Sequence, residues 1–114
     1  MGQVTLYFPE GGTGDFCGGE IVNQNGKAIM FGELKGGIEP AGADEHWKTG
    51  NSALERIRDA FSGYSIKTSF IAAAIERKMA IEIYAQLQDG TLSNAANLTV
   101  DEQLTAYCNW IINL

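Results

Sequence analysis

The residue types in this chain that could carry nucleophilic chemistry are Cys17 and the only histidine, His46. Cys17 follows a glycine-rich stretch, Gly11-Gly12-Thr13-Gly14-Asp15-Phe16. A thiolate paired with an imidazolium is the minimum for a cysteine hydrolase or acyltransferase. Asp44 or Glu45 could orient the ring, and the amides of Gly18-Gly19 could receive an oxyanion. The position of Cys17 argues against this role. A cysteine nucleophile is activated at a helix N-terminus or by a cationic neighbour, and Cys17 opens a strand. A structural thiol accounts for it, so no catalytic residue is expected, and the Cys17/His46 hydrolase stays as an alternative reading.

Other constellations are weaker. The glycines at 11, 12, 14, 18 and 19 run from strand to strand. A phosphate-cradling loop runs from a strand into a helix. Asp44-Glu45-His46 are consecutive, and consecutive side chains rarely converge on one ion, so no metal and no cofactor is expected. Trp47, beside Lys48, is a candidate for lining a ligand pocket. A ligand, if bound, should lie between the 11–16 and 39–48 loops, at Asp15, Phe16, His46 and Trp47.

The elements that would position these residues begin with a strand at Gln3–Phe8, where Val4, Leu6 and Phe8 alternate with Gln3, Thr5 and Tyr7. Asn25-Gly26 then marks a two-residue hairpin turn. That turn pairs Cys17 with Leu34, Ile21 with Met30, Val22 with Ile29 and Gln24 with Lys27. Apolar residues fall on both faces of the hairpin. Residues 38–50 read as an irregular excursion. Ser52 and Glu55 fit a capping box for a helix to about Ser62, ended by Gly63. A second helix is expected from Thr68 or Ser69 to Leu87, stopped by Asp89-Gly90. A third follows a capping box at Thr99–Glu102, with Leu104, Tyr107, Cys108, Ile111 and Ile112 on one stripe. The expected fold is a single α+β domain over residues 1–114, a three-stranded antiparallel meander packed against three helices.

If the helices cover one sheet face, the other needs a partner. Val22, Ile29, Phe31 and Trp110 are then expected in an interface between copies, a homodimer being the favoured state. The chain has 14 acidic and 8 basic residues among 114, a net charge of −6. Six of the eight basic residues lie between Lys48 and Lys78. The acidic balance argues against nucleic-acid and anionic-membrane binding. No leader or membrane span is read, and both cysteines are expected as buried free thiols in the cytoplasm. The composition resembles that of small acidic bacterial or phage-like proteins. The functional expectation is a non-catalytic binding or interaction protein acting as a homo-oligomer. The alternative from another class is an acidic inhibitor or immunity-type protein that binds a basic protein partner.

Overall fold

A computed structural model describes residues 3–7, 16–22, 28–38 and 42–114, with side chains from 29 onward within those ranges. The element order is β1 (Gln3–Tyr7), β2 (Phe16–Val22), β3 (Ala28–Lys35), α1 (Ala43–Ala60), β4 (Lys67–Ala72), α2 (Arg77–Asp89), β5 (Asn94–Asn97) and α3 (Asp101–Ile112). The strands form one five-stranded sheet in sequence order. β1, β2 and β3 pair antiparallel, whereas β3 with β4 and β4 with β5 pair parallel. This corrects the expected fold. The sheet is mixed, strands alternate with helices in the second half, and the helices lie on both faces.

The faces follow from the two-residue period of β3 and β4. Phe31, Glu33 and Lys35 of β3 share a face with Thr68, Phe70 and Ala72 of β4. This face is covered by α1 and α2, whose Trp47, Leu54, Met79 and Ile83 form a core cluster with Phe70, Ala72 and Leu92. Met30, Gly32 and Leu34 share the opposite face with Ser69 and Ile71. There α3 packs, with Tyr107 buried against Ile71 and Ala96. The second sheet face is thus covered by the chain's own helix, which removes the reason for burying it under a second copy.

Within the hairpin, Cys17 pairs with Leu34 and Ile21 with Met30, as the turn register requires. Val22 pairs with Ala28 rather than Ile29, because the register shifts between Ile21 and Val22. The turn itself, and the Gln24–Lys27 pair, lie outside the described residues.

Three helix expectations need correction. α1 begins at Ala43, so 43–50 is helix rather than excursion, and Ser52 lies inside it with no capping role. Thr49-Gly50 looks like a breaker, but Gly50 is there for packing. A Cβ at that position would lie 2.9 Å from Cε1 of Phe70. The long helix expected from residue 68 splits into β4 and α2. The run 68–72 is buried throughout, as in a parallel strand covered on both faces. Such a run cannot be told from a buried helix by periodicity alone. β5 was not expected at all.

The last helix also differs in detail. Its N-cap is Val100, with no side-chain cap, and the Thr99 hydroxyl donates to Asn97 Oδ1 instead. Tyr107 is the side chain it buries, whereas Cys108 is exposed as a free thiol. The helix is therefore rotated relative to the expected stripe, with Trp110 rather than Cys108 beside Tyr107. The α2 stop is where expected: Gly90 caps it with φ 83°. Among the described residues no helix is long and apolar enough to cross a membrane.

Gly50 provides a test of how closely α1 sits on β4. In an exposed helix, Gly→Ala gains about 1 kcal/mol. Here the methyl would strike Phe70, a fully buried ring held edge-on by Trp47 at 5.0 Å. Overpacking costs about 1–3 kcal/mol. Denaturant unfolding of Gly50→Ala should show a net loss of about 1 kcal/mol or more. A gain would mean that the helix is not held this close to the strand.

Candidate active site

β3 is the middle strand, and interior strands of a covered sheet are expected to carry apolar side chains. It nevertheless places Glu33 and Lys35 on the face under α1. They are only 6 % and 7 % exposed. Alternation puts the two side chains on one face, one pleat apart. Gly50 leaves room for the lysine stem: a Cβ there would meet Lys35 Cε at 3.7 Å. Further along the interface, Phe61 lies against Phe31, ring centroids 5.0 Å apart. α1 thus runs antiparallel over β3, with Glu33 between these two contacts.

Burial shapes the charges. Loss of water pushes the Glu33 carboxyl up to about 7, opposed by the positive charges of Lys35 and then Arg56. Desolvation pushes the Lys35 ammonium down, opposed by Glu33. Glu33 Oε2 is buried with no hydrogen-bond donor among the described residues. A buried carboxylate oxygen placed in this way favours a nearby cation.

The residues singled out from the sequence are placed differently. Cys17 is placed only by its backbone pairing with Leu34, and His46 is exposed on α1. Asp44 holds Lys48 at 3.1 Å and Lys78 at 3.9 Å, and so helps tie α1 to α2. Trp47 is not on a loop. It is 1 % exposed in the core, and its Nε1 donates to Glu82 Oε2 at 2.6 Å. Asp15 lies outside the described residues, and the next residue, Phe16, pairs with Lys35. Val22 is placed only by its backbone register. Ile29 is half-buried, Phe31 rests on Phe61, and Trp110 rests on Tyr107 with ring centroids 5.6 Å apart.

Sequence reasoning missed Glu33 and Lys35. The signal was present: two opposite charges, two residues apart, inside an otherwise apolar strand segment. A groove of about 290 Å³ between α2, β5 and α3 is lined by Ile83, Tyr84 and Leu87 with Asn97 and Gln103. None of its lining residues comes from β3 or α1.

The raised Glu33 value has a consequence for stability. Below pH 4.5 the carboxyl is protonated folded or unfolded, and burial carries no ionic penalty. From 4.5 to about 7 the unfolded chain ionises first, so stability is lost as pH rises, and the loss is complete above 7. Glu33→Gln removes this dependence. Between about pH 4 and about pH 8 the difference in unfolding free energy should move in favour of the variant by about 1–2 kcal/mol. A difference that does not change with pH would show that Glu33 is not desolvated.

Matches to known proteins bear on this site. The family model described as restriction endonuclease BsobI matches residues 15–114. The type II restriction enzyme BsoBI of Geobacillus stearothermophilus is 60 % identical over 97 residues, 83 % of this chain and 30 % of that protein. The type II restriction enzyme AvaI of Nostoc sp. and that of Anabaena variabilis are each 56 % identical over 96 residues, 82 % of this chain and 30 % of each enzyme. The chain spans about a third of the length of these relatives. The matches overturn two expectations, that of a non-catalytic binding protein and that of a chain with no nucleic-acid partner. Net charge misled the second, because it says nothing about a few residues gathered at one site. The matched family model covers all but the first 14 residues, and the chain belongs to the BsoBI restriction endonuclease family.

Proposed function

We propose that this chain carries the phosphodiester-cleaving centre of a type II restriction endonuclease, with Glu33 and Lys35 as its described part. The observation that carries this reading is the buried Glu33 Oε2, with no donor among the described residues, beside a buried lysine on the middle strand. Family membership supplies the substrate class, DNA. A role on intracellular DNA supports a cytoplasmic location.

Hydrolysis of a phosphodiester builds negative charge on the phosphoryl and leaving oxygens. A bound divalent cation neutralises that charge and acidifies a bound water. Mg²⁺ is usually held by one or two carboxylates, with waters and substrate phosphates in the other positions. Glu33 fits that demand: its free oxygen is a hard donor. Among the described residues no three Asp, Glu, His or Cys side chains gather as a metal cage. Lys35 brings an ammonium with three donors, which orients the attacking water and faces the phosphoryl oxygen as charge develops. α1 and Phe31 exclude bulk water from one side of the pair, which strengthens both electrostatic contributions.

The test is cleavage of supercoiled plasmid by the purified chain with Mg²⁺. The wild-type chain should produce nicked or linear DNA. Glu33→Gln and Lys35→Ala should each slow it by about 100-fold or more. Failure of the wild-type chain to cut, or an undiminished rate in Glu33→Gln, would overturn the assignment.

A further inference from the structure

The cations of the basic middle band are mostly committed within the fold. Lys48 and Lys78 are held by Asp44, at 3.1 and 3.9 Å. Arg58 donates to Thr68 Oγ1 at 3.1 Å and to the Thr91 carbonyl at 3.2 Å. Lys67 belongs to β4 at the level of Met30, on the side away from α1. Arg77 begins α2, which packs on α1 and β5 beyond the far side of β4.

Arg56 differs from all of these. It is exposed on α1, between Gly50, which sits over Lys35, and Phe61, which sits on Phe31. Helix and strand run antiparallel, so this stretch of α1 crosses Glu33. No hydrogen bond or ion pair engages the guanidinium among the described residues, and its influence is felt as a positive charge on Glu33. An exposed guanidinium at the rim of a buried carboxylate–lysine pair presents a planar fork that matches phosphate oxygens.

We propose that Arg56 is a DNA-backbone contact of this centre, holding a phosphate next to the one cleaved and so setting the duplex against Glu33 and Lys35. The inference rests on the nuclease reading. Arg56 is a positioning residue: it touches a phosphate that does not react. Because the chain as a whole is acidic, with a net charge of −6, a single uncommitted cation at the site should carry a large part of the local attraction for DNA.

The experiment is fluorescence anisotropy with short duplex DNA of random sequence, Ca²⁺ replacing Mg²⁺, over a range of salt concentrations. Arg56→Gln should weaken binding about tenfold and lower the slope of log K against log salt by about 0.9, the value of one phosphate contact. Arg56→Lys should keep the slope and recover part of the affinity. The same losses should appear in the Glu33→Gln background. A loss seen only when Glu33 is present would mean that Arg56 acts through Glu33 and would overturn the proposal, as would unchanged affinity and slope in Arg56→Gln. Far-ultraviolet circular dichroism checks that the exposed substitution leaves the fold intact. If neither the wild-type chain nor Glu33→Gln binds duplex DNA, the nuclease reading itself falls, an outcome distinct from a silent Arg56.

Discussion

The structure is organised around the burial of two opposite charges on one pleat of its middle strand. Glu33 and Lys35 lie under α1 with almost no solvent contact. Desolvation opposes the charged form of each, and each partly restores the other. The pair is not closed on itself, because one oxygen of Glu33 has no hydrogen-bond partner among the described residues. Replacing a buried ion pair by apolar residues is often neutral or stabilising. A pair left incomplete in this way is therefore poorly explained by stability and well explained by chemistry performed on a charged substrate.

The surrounding fold holds that strand from every side. β2 pairs with it antiparallel and β4 parallel, so its backbone is fixed along both edges. Behind it, Ser69 and Tyr107 share a hydrogen bond of 2.8 Å next to Gly32, where a Cβ would come within 2.8 Å of Ser69 Oγ. The absence of a side chain at Gly32 lets α3 and β4 approach the back of β3 directly. In front, Gly50 lets α1 come down onto Phe70 and the lysine stem. Two glycines, one on each face, allow a tightly sandwiched strand in a small sheet. α2 is tied to α1 by Trp47–Glu82 and Asn51–Gln86 hydrogen bonds, which keep α1 in place over the charges.

Parts of this arrangement were legible in the sequence. The pairs Cys17–Leu34 and Ile21–Met30 match those read from the Asn25-Gly26 signal, and the α2 stop follows from Asp89-Gly90. Local chemistry decides both. β4 was not legible, because Thr68–Ala72 is buried on both faces and loses the alternation that identifies a half-exposed strand. α1 was cut short in the reading because Gly50 serves tertiary packing rather than helix propensity. The site was obscured by attention to residue types with familiar nucleophilic roles. Cys17 is placed only by its backbone register and His46 is exposed on α1. The decisive residues were a common glutamate and a common lysine, whose meaning came from the strand position that buries them. The acidic composition, read as a bar to DNA, is compatible with a centre whose chemistry depends on carboxylates.

Glu33 as a desolvated carboxylate that receives a cation is tested most directly by a pH titration of its side-chain carboxyl by carbon NMR on selectively labelled protein, without and with Mg²⁺. The midpoint should lie near 7 in the metal-free protein, well above the ordinary 4.5, and shift markedly downward when Mg²⁺ is added. An ordinary midpoint, or one that Mg²⁺ leaves unmoved, would contradict this reading of Glu33.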